Sequence, residues 1–121
     1  MSEIKSFRDL IVWQKSMTLT QTVYRLTKLF PKDEIYGLTN QVRRCSVSIS
    51  SNIAEGYGRG TSPEYSHFLK ISRGSLCELQ TQIELAMNFE YITVHQFRQV
   101  EDQAIEISKM LNAIIKKLDH R

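Results

Sequence analysis

Through four long stretches of this chain, apolar residues recur three, four or seven positions apart, and that spacing decides what it can fold into. An α-helix carries 3.6 residues per turn, so each stretch gathers its apolar side chains on one face and must bury that face against another helix. The first stretch holds Val12, Leu19, Val23, Leu26 and Phe30, with Trp13, Met17 and Tyr24 widening the face. The second holds Leu38, Val42, Cys45, Ile49 and Ile53, and the third Tyr65, Phe68, Leu69, Ser72, Leu76, Leu79, Ile83 and Ala86. In the fourth, Phe97, Val100, Ala104, Ile107, Leu111, Ile114 and Leu118 form a heptad seam. Ile105, Met110 and Ile115 lie off that seam, a surplus of apolar surface that points to self-association.

Punctuation between the stretches is sparse and readable. Pro31 disfavours helical geometry in the residue before it and ends the first helix. Gly56 is expected to end the second by taking a left-handed conformation. Thr61 and Glu64 have capping-box spacing, with Pro63 in the first turn where its missing N–H does no harm, and Thr93 with Gln96 repeats the box. These signals predict helices at about 12–30, 34–55, 62–88 and 94–119. The short connections force neighbours antiparallel, giving an all-α, up-down-up-down four-helix bundle in a single domain over 1–121.

With 121 residues, 41% of them apolar, the chain can bury one core without disulfides or structural metal. No apolar run approaches the roughly 20 residues of a membrane span. The start Met1-Ser2-Glu3-Ile4-Lys5 lacks the basic region, apolar core and cleavage site of a secretory signal, so a cytoplasmic protein is expected. Cys45 and Cys77 sit inside apolar-periodic segments, as buried thiols of a reducing compartment do, and not in a disulfide framework. A net charge of +3 and a pI near 9.0 permit binding to an anionic polymer without requiring it.

Four ordered motifs then become informative: Phe7-Arg8-Asp9-Leu10-Ile11-Val12-Trp13-Gln14-Lys15, Tyr36-Gly37-Leu38-Thr39-Asn40-Gln41-Val42-Arg43-Arg44-Cys45, Ser48-Ile49-Ser50-Ser51-Asn52-Ile53-Ala54-Glu55-Gly56 and Gly74-Ser75-Leu76-Cys77-Glu78-Leu79. Together they resemble the four-helix-bundle family of proteins encoded in intervening sequences of bacterial 23S ribosomal RNA genes. Cys45 and Cys77 depart from the small residues more usual at those places. The resemblance implies a bacterial, non-catalytic bundle that assembles into a homopentamer. It also implies kinship with accessory proteins of diversity-generating retroelements, which bind nucleic acid and a reverse transcriptase.

Two polar constellations are candidates for function. Gln41, Arg44, Ser48, Asn52 and Glu55 follow one another by three or four along the second helix, beside its apolar face. Pairing helices two and three about a turn near residue 59 would set Gln41 level with Glu78 and Cys45 against Gly74, with Glu78 within reach of Arg44 as an ion-pair partner. Gln41, Arg44, Asn52, Glu55 and Glu78 are either a hydrogen-bonded network fixing helix register or a subunit interface, or the lining of a ligand or nucleic-acid site. Arg43, Arg44, Arg59, Lys70 and Arg73 form the best basic patch, able to neutralise phosphates and multiplied by a ring of subunits. Lys109, Lys116, Lys117 and Arg121 form a second set at the end of helix four, where cations also suit the helix dipole.

Other motifs carry less. Gly56-Tyr57-Gly58-Arg59-Gly60 has neither the preceding strand nor the lysine of a nucleotide-binding loop, and reads as a helix stop and turn. Glu64 and His67 have the Glu-x-x-His spacing of di-iron bundles, but a second pair is missing, so no metal site and no cofactor are expected. Trp13, Tyr24, Phe68 and Phe97 fall at core spacing. The expectation is therefore a non-enzymatic, homo-oligomeric scaffold that binds RNA or DNA through basic patches. The competing expectation is an adaptor that holds a partner protein such as a reverse transcriptase.

Overall fold

In the computed structural model, which describes residues 3–120, the chain is all-α. Helix α1 spans Ile11–Thr27, α2 Leu38–Gly58, α3 Ser62–Asn88 and α4 Val94–Asp119. Single 3-10 turns stand at Phe7–Asp9 and Lys32–Glu34, and there is no strand among the described residues. Met1 and Ser2, from the N-terminal stretch without signal character, and Arg121, the last cation of the terminal set, lie outside them.

The third and fourth helices run where their caps place them. Thr93 Oγ1 accepts from the Gln96 N–H at 3.1 Å while Gln96 Oε1 accepts from the Thr93 N–H at 2.9 Å, the full reciprocal box. At α3 the box is half formed. Thr61 Oγ1 accepts from the Glu64 N–H at 3.4 Å, but its hydroxyl donates to the Glu64 carboxylate at 3.0 Å, so that carboxylate does not reach back to the backbone.

The ends of α1 and α2 differ from expectation. Helix α1 stops at Thr27, because Pro31 bars Phe30 from helical geometry and the chain tightens first: the Leu29 and Phe30 N–H groups donate to Leu26 and Thr27 carbonyls at 3.0 and 3.2 Å. Phe30 stays buried, 5.5 Å from the Tyr91 ring. The 3-10 turn at Lys32–Glu34 delays α2 to Leu38, and α2 then runs through Gly56 to Gly58. Gly56 is a close-approach residue and not a stop: a Cβ there would stand 2.6 Å from Phe68 Cβ and 3.2 Å from the Tyr65 carbonyl oxygen. The left-handed residue that ends the turn is Gly60, at φ +86°.

One core joins the four helices, with Leu19, Val23, Ile49, Ile53, Leu69, Leu76, Leu79, Ile83, Ile107 and Leu111 all buried. Ile115 joins it, contrary to the seam reading, while Ile114 and Leu118 pack at its edge. A strict 3.5-residue seam drifts about 20° per heptad against a 3.6-residue helix, so by the last turn the core side has rotated to Ile115. Met17 and Tyr24 do not widen the face of α1 but lie exposed.

Helix α2 packs most extensively on α3, and the diagonal pairs α1 with α3 and α2 with α4 make no close backbone approach. Polar pairs mark the register. On α2 and α3, Cys45 meets Glu78, Ser48 meets Ser75 and the Ile49 carbonyl accepts from buried Ser72. On α3 and α4, Ser66 meets Asp119, Arg73 meets Asn112 and Gln80 meets Glu101. On α1 and α2, Thr20 meets the Ser46 carbonyl and Thr27 meets Arg43. This register corrects the expected pairing of Cys45 with Gly74 by one helical turn. A Cβ at Gly74 would meet nothing within 4 Å, so that glycine faces open space and mediates no close approach.

Candidate nucleic-acid interface

The five cations of the expected patch are divided among four places. Arg43 points toward α1, where its Nε donates to Thr27 Oγ1 at 2.8 Å and its guanidinium lies 4.7 Å from the Tyr24 ring centroid. Arg59 clamps the turn between α2 and α3. It pairs with Glu55 at 2.9 Å and Glu64 at 3.8 Å and covers the Phe68 ring at 4.9 Å, so its charge is already answered twice. All three side chains are about half exposed, and such pairs add little stability in water.

Lys70 and Arg73 are brought together, one turn apart on the flank of α3 that faces α4. Lys70 Nζ lies 2.9 Å from the Asp119 carboxylate, and Arg73 donates to Asn112 Oδ1 at 3.0 Å. The Asp119 carboxyl also accepts from Ser66, and its pKa is lowered by that hydrogen bond first and by the Lys70 ammonium next. Residues at i−3 and i+4 share a helix face, so exposed Lys109 and Lys116 flank Asn112 on the same strip of α4. Lys70 and Arg73 on α3 thus face the strip of α4 that carries Lys109 and Lys116, and among the described residues the one ion pair made by these four cations is that of Lys70 with Asp119. Two sets that look separate in the sequence are half merged by the fold.

Arg44 stands elsewhere, in a groove of about 380 Å³ between α2 and α3 shared with Tyr36, Asn40, Gln41, Cys45, Glu78 and Gln82. The expected Arg44–Glu78 ion pair is not made: among the described residues no carboxylate lies within 4 Å of Arg44. The Cys45 thiol donates to Glu78 at 3.4 Å instead, because the register sets Cys45, not Arg44, opposite that carboxylate. Burial, then the Glu78 carboxylate, pushes the Cys45 thiol above its ordinary pKa, with a partial offset from Gln82.

The polar stripe of α2 is accordingly three separate pieces. Asn52 donates to the Ser48 carbonyl at 2.8 Å and to Ser48 Oγ at 3.0 Å, and Ser48 meets Ser75 at 3.0 Å, a tie that fixes α2 on α3. Glu55 belongs to the Arg59 clamp, and Gln41 and Arg44 line the groove with Glu78. Sequence reasoning passes over Tyr36, Asn40 and Gln82 in that groove, and Asn112 and Asp119 in the strip. Only the seven-residue spacing of Asn112 and Asp119, which puts them on one face of α4, is there to be read. Tyr57 is half-buried edge-on to Tyr65 at 5.8 Å and does not stack beside Arg59.

His67 is exposed and sits 5.4 Å from the Phe68 ring, while Glu64 is engaged by Thr61 and Arg59. Among the described residues no three His, Cys, Asp or Glu side chains are grouped to hold a metal ion. No helix there is long and apolar enough to cross a membrane.

No curated protein matches the chain. Among solved structures, it is similar to a protein of unknown function from the S23 ribosomal protein family of Bacteroides thetaiotaomicron VPI-5482. That match has a TM-score of 0.81 and 27% sequence identity, over 88% of this chain and 99% of that one. Residues 8–113, nearly the whole four-helix unit, match the family described as 23S rRNA-intervening sequence protein, and the chain belongs to that family.

Proposed function

We propose that this chain is a non-catalytic scaffold that assembles with copies of itself, as the pentamer the family resemblance implies, and carries RNA or DNA on the basic strip between α3 and α4. In this reading the helices form an antiparallel up-down-up-down bundle. Its support is that the numbers of paired residues rise on one helix as they fall on the next. The protein needs no cofactor or metal and works in the cytoplasm.

The observation that carries the reading is that Lys70 and Arg73 reach the strip of α4 that carries Lys109 and Lys116, and that among the described residues only Lys70 of these four is ion-paired. Such a strip follows phosphates rather than bases, so the expected binding is salt-sensitive and largely independent of sequence. Replacing all four cations by glutamine should flatten the plot of log affinity against log salt by about 0.9 for each phosphate no longer neutralised. Asp119→Asn, which releases Lys70, should act in the opposite direction. Unchanged affinity of the quadruple variant at low salt would sink the proposal.

A second reading, the protein adaptor, is favoured by the end of the molecule where the α1–α2 and α3–α4 connections meet. Leu29, Phe89 and Val94 are more than half exposed there around Tyr91, whose hydroxyl donates to Glu34 at 2.7 Å. A partner such as a reverse transcriptase seated on that end, with no nucleic acid in the purified complex, would favour the adaptor.

A further inference from the structure

The α2–α3 groove holds an unusual set of unspent groups. Tyr36 is 94% exposed and touches no other ring. Among the described residues Arg44 has no carboxylate partner although Glu78 lines the same groove, and the exposed side-chain amides of Asn40 and Gln41 make no hydrogen bond. Gln82 Oε1 is buried without a donor, and Glu78 has one oxygen engaged by a thiol and the other uncommitted. The groove is about 380 Å³ and opens widely to solvent.

The chemistry of these groups narrows the occupant. A flat aromatic face suits a π-surface, amides and a carboxylate suit an edge that mixes donors and acceptors, and a lone guanidinium suits a phosphate. A plain anion would use Arg44 but be repelled by Glu78, and an apolar peptide would leave the amides and Arg44 unanswered. We propose that this groove binds one nucleotide with its base unstacked from its neighbours: base on Tyr36, base edge on Gln41 and Glu78, phosphate on Arg44. The proposal rests on the nucleic-acid reading above and adds to it a site for an unpaired nucleotide, distinct from the α3–α4 strip. The nucleotide is either free or part of a strand, and the chemistry is the same for both.

The test uses the full chain and three probes: the four ribonucleoside monophosphates, an RNA hairpin with one bulged 2-aminopurine, and the same hairpin fully paired. Tyr36→Ala removes a side chain the fold does not use, and Arg44→Gln keeps length without charge. The expected result is that each weakens binding of the bulged hairpin by roughly tenfold and leaves the paired hairpin unchanged. Lys70→Gln with Arg73→Gln should weaken both hairpins alike. If the strip variants change nothing while Tyr36→Ala still acts on the bulge, the groove stands and the strip falls. Monophosphates that bind the wild type and lose affinity in the two groove variants identify a free nucleotide as a ligand; binding of the bulged hairpin alone identifies a strand. Equal affinity of wild type, Tyr36→Ala and Arg44→Gln for every probe would overturn the assignment.

Discussion

One substitution at two positions should have opposite signs. Gly56 and Gly74 both lie inside helices, where alanine is favoured over glycine by about 0.8–1.0 kcal/mol. At Gly74 a Cβ meets nothing within 4 Å, so Gly74→Ala should keep that whole gain and raise Tm by about 4 °C for a domain of this size. At Gly56 the same methyl would lie 2.6 Å from Phe68 Cβ, against a carbon–carbon optimum of about 3.5–4.0 Å. Phe68 Cβ is fixed to its backbone, so α2 and α3 would have to part by about 1 Å at their closest point. Overpacking of this kind costs about 1–3 kcal/mol, and the parting also stretches the Ser48–Ser75 and Ser72–Ile49 bonds along the same interface, at roughly 1 kcal/mol if one breaks. After the helical gain is subtracted, Gly56→Ala should destabilise by about 2 kcal/mol and lower Tm by about 8 °C. Thermal melts followed by circular dichroism, all at one protein concentration because self-association shifts Tm, would read both effects. A Gly56→Ala protein as stable as the wild type, or a less stable Gly74→Ala protein, would refute the packing argument. The double variant should be additive within about 0.5 kcal/mol.

Thr93→Ala removes the hydroxyl that caps the Gln96 N–H and should cost about 1 kcal/mol in urea unfolding, with an unchanged slope. Cys77 is exposed and Cys45 is half-buried with a raised pKa, so a disulfide reagent at pH 8 should react in two phases, Cys77 first; Glu78→Gln should hasten the second phase, and a single phase would contradict the assignment. The depressed pKa of Asp119 stabilises the fold above the ordinary carboxylate value, and the benefit drains away as pH falls through the lower, folded value. Asp119→Asn should therefore be less stable than wild type at pH 6 and approach it as pH falls below the ordinary carboxylate range, with urea midpoints across that series as the check.

The existence and order of the helices are legible in the sequence because a 3.6-residue period needs no knowledge of neighbours. The starts of α3 and α4 are legible for the same reason, since Thr61 and Thr93 cap their own chains. Helix α1 is harder to end, because the restriction set by Pro31 acts upstream through a tightened turn. Sequence spacing reads Gly56 and Gly74 the wrong way round, one as a stop and the other as a close approach. A glycine's meaning depends on what stands opposite, and Phe68 reaches Gly56 only once the α2–α3 register is fixed. That register, one helical turn from the expected one, also moves Glu78 from Arg44 to Cys45. The cations of the candidate site are visible as residue types, but their partners are not. Arg59 is answered from both sides of its own turn, while Arg73 depends on Asn112, thirty-nine residues away.

Helix α3 is the element on which both proposed contacts hang. Lys70 and Arg73 leave its α4 flank, while Glu78 and Gln82 leave its α2 flank, about 13 Å further along the axis at 1.5 Å per residue. At roughly 3.4 Å per stacked nucleotide that separation equals about four steps of one strand. A ligand touching both must cross the outer face of α3. At about 100° per residue the positions between the two flanks include Gly74 and Thr81, both exposed. Gly74, which has no role in packing the monomer, leaves that ridge low where a backbone would pass over it. A rigid duplex lying along the strip would hold its bases paired and inward, out of reach of Tyr36. If both proposed contacts are made, a stem with one extruded nucleotide would satisfy the strip with its phosphates and the groove with its base at the same time, and the two flanks of α3 would together select for a folded, imperfectly paired nucleic acid.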